Sequence, residues 1–239
     1  MLNIHARGAV GRFWAPVGRR LADAGVSPDV ITLVGSVAAI AASLTLFPRG
    51  YWFAGSAVVG ALACLDMLDG AVARAGGRSS AFGAVLDSTC DRAVDAAIFG
   101  GIAWYFARHN QPALLLASLL CLVLGSLTSY IRARAEGAGL SATVGIAERA
   151  DRLIIALVGT GLTGTPAHIP YLQAIALWAL VAASTVTVAQ RFATVYQQSR
   201  ANAAALMESE KSVEPVEPVN MAGTVDAASS AAHEAQSAP

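Results

Sequence analysis

Long apolar runs, separated by short polar or charged stretches, occupy most of the chain between Val30 and Gln190. A helix needs about 20 mostly apolar residues to cross a bilayer core, and the first run, 30–48, has about that length. Ser27, Pro28 and Asp29 before it follow the order of an N-cap, a first-turn proline and a first-turn acid. Further runs cover 50–65, 96–107, 111–131 and 153–190, and turn-forming residues at 163–166 and 170 divide the last one. The pattern predicts an all-α polytopic membrane protein with six transmembrane helices.

The second and third runs are too short to cross a membrane alone. They reach full length only if the second helix continues to about Arg74 and the third begins near Gly83. Ionisable residues at membrane depth are costly and usually face the bundle interior with a partner. The sequence therefore predicts a carboxylate cluster at one end of a helical hairpin. Five aspartates belong to the extended helices: Asp66, Asp69, Asp87, Asp91 and Asp95.

The arginines are distributed unevenly between the two sides of the predicted bundle. Twelve fall in the loops and chain ends on the side of the carboxylates, against only Arg49 and Arg108 on the other side. An excess of basic residues marks the cytoplasmic side. We therefore expect a multi-pass protein of the cell membrane, with the carboxylates and both termini in the cytoplasm.

The two ends of the chain differ from the apolar middle. Residues 1–26 lack the continuous apolar core of a signal peptide, but Phe13, Trp14, Val17 and Leu21 share one helical face. This predicts an N-terminal interfacial amphipathic helix in contact with membrane lipids, or equally a helix packed on the bundle. Residues 198–239 are rich in Ala, Ser, Glu and Pro and predict a disordered cytoplasmic tail. The membrane domain is thus expected at 27–197.

The composition of the chain agrees with the prediction of a membrane protein. The chain is 55% hydrophobic and 13% charged, whereas soluble domains carry about 25% charged residues. This argues against a disordered protein, a coiled coil or a nucleic-acid binder. Its three cysteines and four histidines show no disulfide framework and no zinc spacing.

The spacing of the aspartates suggests a chemistry. Asp66 and Asp69 stand at i, i+3, and Asp87 and Asp91 stand at i, i+4, so each pair shares one helix face. Four converging carboxylates would resist ionisation together unless divalent cations neutralise them. Two bridged metal ions form a clamp suited to phosphoryl transfer. The alternative is a set of buried ion pairs with Arg74, Arg78 and Arg92. Asp95, one turn further on, is either a proton relay or a hydrogen-bonded structural acid.

Residues 66–91 match every fixed position of the pattern D-x2-D-G-x2-A-R-x8-G-x3-D-x3-D. On this motif the chain resembles the CDP-alcohol phosphatidyltransferases, over roughly residues 1–197. The resemblance implies that two Mg²⁺ ions, or Mn²⁺, are held by Asp66, Asp69, Asp87 and Asp91. It also implies that Asp91 is the base that removes the acceptor's proton. The residues that it implies for binding CDP-diacylglycerol are Asp29, Val30, Ile31, Thr32, Gly70, Arg74 and Ser80. Ser79 and Ser80 replace a Gly-Thr pair of some relatives, but Ser80 keeps the hydroxyl.

A second basic cluster bears on the acceptor. Arginines follow the fourth run, precede the fifth and end the sixth, and guanidinium groups bind phosphate in a bidentate manner. The alternative is that they serve topology and anionic lipid. The segments around them are similar to those of one subgroup of the family, the actinobacterial phosphatidylinositol phosphate synthases. That similarity implies an acceptor-phosphate pocket formed by Ser129, Arg132, Arg152 and Arg191.

We therefore expect a homodimeric enzyme that converts CDP-diacylglycerol and inositol 1-phosphate to phosphatidylinositol phosphate and CMP. Glycerol 3-phosphate is the alternative acceptor, and its product would be phosphatidylglycerophosphate. A cation-coupled transporter is a third reading. It is disfavoured because the sequence shows no internal repeat and because the acids lie at a helix end.

Overall fold

A computed structural model describes residues 27–76, 80–165, 169 and 171–212. This part of the chain is all-α, as predicted, and contains no strand. A 3-10 helix, Phe47–Arg49, follows the first α-helix. The α-helices within the described residues are α1 (Pro28–Leu46), α2 (Trp52–Gly76), α3 (Ala81–Arg108), α4 (Pro112–Gly137), α5 (Arg149–Thr163) and α6 (Leu172–Ser212).

Three helical stretches in the described residues are long and apolar enough to cross a membrane. They are Pro28–Arg49, Pro112–Gly137 and Leu172–Ala205, and a shorter apolar stretch covers Trp52–Cys64. The remaining elements differ in charge or in length. α3 carries Asp87, Asp91, Arg92 and Asp95 within its first 15 of 28 residues, and the 15 residues of α5 span only about 22 Å.

The starts of α1 and α3 lie side by side. Ser27 takes the N-cap position of α1, followed by Pro28, although the serine side chain makes no capping hydrogen bond. Ser80 caps α3, because its hydroxyl oxygen accepts a 2.8 Å hydrogen bond from the Gly83 amide. A Cβ atom on Gly83 would lie 3.1 Å from both the Asp29 carboxylate and the Ser80 hydroxyl. The absence of a side chain at Gly83 therefore lets both polar groups lie against its backbone.

The helices pack around a core that extends through the bundle. α1 packs against α2 and α3, α4 packs against α3, and α5 packs against α2. An aromatic group closes one end, where Trp52 lies 4.5 Å from Tyr105 and 6.2 Å from Phe47 between ring centroids. Tyr105 lies about 21 Å along α3 from Asp91. The aromatic contacts therefore fix the end of the bundle that lies away from the aspartates.

Small residues allow α5 and α6 to approach closely. A Cβ atom on Gly159 would come within 2.5 Å of the Cβ of Ala176. Close packing of small residues is a common source of attraction between helices in membranes, where apolar burial adds little. This contact holds α5 beside α6 and so fixes the position of the charged residues at the start of α5.

The last helix is longer than predicted. The sequence placed the end of the membrane domain at 197 and a disordered tail from 198, but α6 continues to Ser212. Alanine is the strongest helix former, and residues 201–205 include four alanines, which explains the extension. The predicted interfacial helix at 1–26 and the rest of the tail, 213–239, lie outside the described residues.

Candidate functional site

A cleft of about 940 Å³ opens between α3, α4, α5 and α6. This volume is within the range of sites for small molecules. Four helices contribute charged or polar residues to its wall, so the site depends on the packing of the whole bundle. These lining residues include Asp91, Arg92, Thr128, Ser129, Arg132, Glu136, Glu148, Arg149, Arg152 and Arg191.

Asp91 lies at the cleft wall and forms an ion pair with α5. The Nη1 atom of Arg149 is 2.7 Å from Asp91 Oδ1, and the Nη2 atom of Arg92 is 3.8 Å from Asp91 Oδ2. Asp87, one turn earlier on the same face of α3, is half-buried. The buried-pair alternative considered from the sequence is thus partly realised, since Arg92 does contact Asp91. Among the described residues, however, Arg149 is closer to Asp91 than Arg92 is.

Asp95 is the centre of a buried charge cluster. Its side chain is 9% exposed, and its carboxylate oxygens lie 3.7 Å from Arg92, 3.4 Å from Arg149 and 3.8 Å from Arg152. This favours the structural role for Asp95 over the proton relay. Among the described side chains, the three arginines form ion pairs with two carboxylates, those of Asp91 and Asp95, so this described cluster carries one formal positive charge in excess. Such an excess at a cleft wall favours the binding of an anion.

Arg152 is held almost completely inside the bundle. It is 3% exposed, and its Nη1 donates 3.2 Å hydrogen bonds to the Thr128 hydroxyl and the Ala147 carbonyl. Its Nη2 is buried without a hydrogen-bond partner. Gly125 leaves room for the guanidinium, because a Cβ there would lie 3.3 Å from Arg152 Nε. The Asp95 carboxylate is 3.8 Å from Arg152 Nη2, too far for a hydrogen bond. A buried charged donor without a hydrogen bond is unfavourable, and a ligand oxygen would supply one.

Arg191 and Thr187 of α6 fix the loop that leads into α5. The Nε of Arg191 donates a 2.9 Å hydrogen bond to the Val144 carbonyl, and its Nη1 donates to the Thr128 carbonyl. The Thr187 hydroxyl accepts hydrogen bonds of 3.3 and 3.1 Å from the amides of Ile146 and Ala147. The start of α5, with its two arginines, is therefore positioned by α6.

The other two predicted acceptor residues line the same cleft. The Nη1 of Arg92 donates a hydrogen bond to the Ser129 hydroxyl. Arg132 is half-exposed, and its Nε lies 2.8 Å from Glu136 Oε1. The structure thus brings Ser129, Arg132, Arg152 and Arg191 together beside Asp91.

The predicted donor-binding residues fall into two groups. At the start of α1, Thr32 is buried and donates a 3.2 Å hydrogen bond to the Pro28 carbonyl, Val30 is exposed, and Ile31 is half-buried. Asp29 and Ser80 meet at Gly83, as described above. The second group comprises Gly70 and Arg74 together with the predicted metal ligands Asp66 and Asp69. These four lie on α2, but their side chains are outside the described set.

The predicted metal ligands are of a type that fits a hard divalent cation. Among the described residues, no three His, Cys, Asp or Glu side chains form a group that could hold a metal. Asp87 and Asp91 supply carboxylate oxygens from one face of α3, which is the ligand type that Mg²⁺ and Mn²⁺ bind. α1 packs against both helices that carry the four acids. A complete site would add Asp66 and Asp69 of α2.

Sequence reasoning missed several residues of the cleft. Arg149 precedes Arg152 by three positions, so helical periodicity alone would have placed both on one face. Arg92 was considered only as a partner for the aspartates. Thr128 and Thr187 had no recognisable signal, because their hydrogen bonds join residues far apart in the sequence.

Comparisons with known proteins bear on this site. Residues 25–189 match the family model of the CDP-alcohol phosphatidyltransferases. A phosphatidylinositol phosphate synthase of Mycobacterium tuberculosis is 45% identical over 194 residues, which cover 80% of this chain and 89% of the relative. A crystal structure of that organism's phosphatidylinositol phosphate synthase with CDP-DAG bound has a TM-score of 0.74 and 45% identity, covering 77% of this chain and 94% of the other. A crystal structure of the enzyme with manganese and citrate has a TM-score of 0.73 and 45% identity, covering 77% and 88%.

Proposed function

The chain belongs to the CDP-alcohol phosphatidyltransferase family, and from this membership we propose that it transfers a phosphatidyl group from CDP-diacylglycerol to inositol 1-phosphate. The products are phosphatidylinositol phosphate and CMP. The observation that carries the proposal is the arginine-rich cleft beside Asp91. Support comes from the mycobacterial phosphatidylinositol phosphate synthase, which is 45% identical to this chain over 194 residues.

The charge of the cleft supports an acceptor that carries phosphate. Three guanidinium groups surround Asp95, and the buried Nη2 of Arg152 has no hydrogen-bond partner. A phosphate monoester supplies oxygens that can accept several guanidinium hydrogen bonds at once. A neutral polyol would leave the excess charge unpaired. We therefore assign the acceptor phosphate to Arg152 and Arg191, with Ser129 and Arg132 at the cleft wall.

We place the donor's nucleotide and diphosphate on the other side of Asp91. Two divalent cations, Mg²⁺ or Mn²⁺, would be held there by Asp66, Asp69, Asp87 and Asp91. When bound, they would neutralise charge on the diphosphate and on the leaving CMP. The manganese complex of the related synthase is consistent with this choice of metal. Asp29 and Ser80, which meet at Gly83, would contact the donor together with the other predicted donor residues.

Asp91 lies where the two substrates would meet. In the proposed reaction its carboxylate accepts the proton of the acceptor hydroxyl, and that oxygen attacks the β-phosphorus of the donor. The bond from this phosphorus to the oxygen that bridges to CMP then breaks, and CMP leaves with the bonding electrons. A positioned base of this kind contributes about 10²–10⁴-fold to a rate. The cleft arginines hold the acceptor and orient its hydroxyl.

We also propose that the six helices cross the cell membrane, with the site and both termini in the cytoplasm; α5, whose 15 residues extend only about 22 Å, would cross together with residues that flank it. The 25 residues of α2 and the 28 of α3 extend about 37 and 42 Å, which exceeds a bilayer core of about 30 Å. Their charged ends would then reach the interface. A homodimer and an interfacial helix at 1–26 complete the proposal.

The test is to supply purified protein with CDP-diacylglycerol, Mg²⁺ and one acceptor at a time. Inositol 1-phosphate, glycerol 3-phosphate and free inositol are the three acceptors, and the lipid product is identified by mass spectrometry. We expect efficient formation of phosphatidylinositol phosphate with the first acceptor only. Preferred use of glycerol 3-phosphate would instead make the chain a phosphatidylglycerophosphate synthase. Metal-dependent release of CMP also separates either enzyme from a transporter.

A further inference from the structure

The closest ion pair of the cleft joins a residue of the proposed chemistry to one without an assigned role. Arg149 Nη1 lies 2.7 Å from Asp91 Oδ1, and both side chains are partly exposed to the cleft, at 27% and 18%. Arg149 is also the less buried of the two arginines at the start of α5, since the side chain of Arg152 is only 4% exposed. A ligand in the cleft can therefore reach Arg149.

The guanidinium of Arg149 is attached at two points that use different nitrogens. Its Nη1 contacts Asp91, and its Nε donates a 3.4 Å hydrogen bond to Asp95 Oδ1. Asp95 is buried and is further held by Arg92 and Arg152. If the contact with Asp91 breaks, the contact with Asp95 keeps the guanidinium at the cleft wall. The η nitrogens are then free to bind another anion, one turn of α5 away from Arg152.

The contact between Arg149 and Asp91 opposes the role proposed for Asp91. A carboxylate oxygen whose lone pair accepts a guanidinium hydrogen bond is less available to the acceptor hydroxyl. A phosphate monoester carries more charge than a carboxylate and offers more acceptor oxygens, so it competes well for an arginine fork.

We propose that Arg149 is a further acceptor-phosphate residue, and that Asp91 and the acceptor phosphate bind its guanidinium group in turn. The inference rests on the proposed function. Phosphate binding draws the Nη1 of Arg149 away from Asp91, and this releases the carboxylate only when the acceptor is in place. Asp91 and the acceptor phosphate thus compete for one guanidinium group, and each weakens the other's contact with it.

The experiment is a double-mutant cycle on phosphate binding by the full-length chain, purified in detergent without added metal. Wild type, Asp91→Asn, Arg149→Gln and the double variant are titrated calorimetrically with inositol 1-phosphate and, separately, with inorganic phosphate. We expect Asp91→Asn to tighten binding about 3- to 10-fold when Arg149 is present, and less than about twofold when it is Gln. Arg149→Gln alone should weaken binding about fivefold.

Asp151→Asn is the matched control. It removes the same charge from the first turn of α5, but among the described side chains Asp151 neither lines the cleft nor forms an ion pair with Arg149. Its effect should be below about twofold in both backgrounds, because the long-range change in charge is screened by salt. If Arg149→Gln does not fold, Arg149→Lys replaces it. Lysine keeps the charge without the fork, so the tightening by Asp91→Asn should persist in reduced form.

Equal tightening by Asp91→Asn with and without Arg149 would overturn the inference, because it would reflect only the general charge of the cleft. No tightening in either background would overturn it as well. The outcome is separable from that of the proposed function, which is read from the lipid product of the wild type. Coupling seen with inorganic phosphate, in a protein that does not use inositol 1-phosphate, would instead refute the function and retain the competition.

Discussion

Replacement of Gly125 by alanine tests whether the position of Arg152 determines acceptor binding. A Cβ at this position would lie 3.3 Å from Arg152 Nε, 3.5 Å from Nη2 and 3.6 Å from Cζ. The first distance is shorter than most Cβ contacts. The guanidinium cannot retreat freely, because it is 3% exposed and is hydrogen-bonded to Thr128 and Ala147. We expect a displacement of a few tenths of an ångström.

The size of the effect follows from the energy of the contact. A charge-assisted hydrogen bond contributes about 1.5–3 kcal/mol, and a partial displacement should forfeit about half of it. This corresponds to about a 3- to 10-fold rise in the KM for inositol 1-phosphate. The KM for CDP-diacylglycerol should stay within about twofold, because the three atoms nearest to the added Cβ all belong to Arg152.

The assay is steady-state release of CMP with each substrate varied in turn, combined with thermal unfolding in detergent. Gly100→Ala is the control, since a Cβ there meets nothing within 4 Å. Alanine favours a helix over glycine by about 1 kcal/mol, so the control should be as stable as the wild type or more stable, with unchanged kinetics. An unchanged acceptor KM in a well-folded Gly125→Ala protein would refute the assignment of Arg152 to the acceptor.

Three further predictions concern the acids and the loop before α5. Asp66→Asn should lower both the turnover and the affinity for Mn²⁺, measured by calorimetry, because it removes one anion of the proposed metal set. Retained turnover at saturating Mg²⁺ would count against two bound ions. Asp91→Asn should lower kcat about 10²–10⁴-fold or more, while binding of CDP-diacylglycerol, measured by equilibrium dialysis, weakens only moderately. A kcat near that of the wild type would exclude Asp91 as the base. Gly145→Ala should lower the free energy of unfolding by about 1–3 kcal/mol, because the φ of Gly145 is +146° and a Cβ there would lie 2.4 Å from Thr187 Cγ2. Gly139→Ala, also at positive φ but with open space around it, should be milder in the same unfolding assay.

The helices were predictable where long, uninterrupted runs of apolar residues mark them. All six predicted runs are helical. The length of the runs predicted that α2 continues through Asp66 and Asp69 to about Arg74 and that α3 begins near Gly83, and the structure has these bounds at Gly76 and Ala81. The end of α6 was wrong, because the change in composition after 197 was read as a loss of structure. Helix propensity in an alanine-rich stretch depends little on apolar burial, so a helix continues there.

The candidate site was predictable only in part. The motif marked Asp87 and Asp91, and the resemblance marked four acceptor residues that line one cleft. The sequence did not reveal that Arg149 would form an ion pair with Asp91, nor that Asp95 would contact both Arg149 and Arg152 in addition to its neighbour Arg92. The contacts of Arg149 and Arg152 join α3 to α5 across more than 50 positions, and their pairing is decided by the packing of α5 between its neighbours. Local spacing carries no information about it.

The central claim is that a cleft arginine binds the acceptor phosphate, and Arg152 tests it most directly. Arg152→Ala should raise the KM for inositol 1-phosphate about 10- to 150-fold, as expected for the loss of a charge-assisted contact, and should change the KM for CDP-diacylglycerol far less. Arg152→Lys should give an intermediate KM for inositol 1-phosphate. Arg108 is exposed at the far end of α3, so Arg108→Ala should leave both KM values unchanged. Equal changes in both KM values, in a folded and membrane-inserted Arg152→Ala protein, would contradict the account.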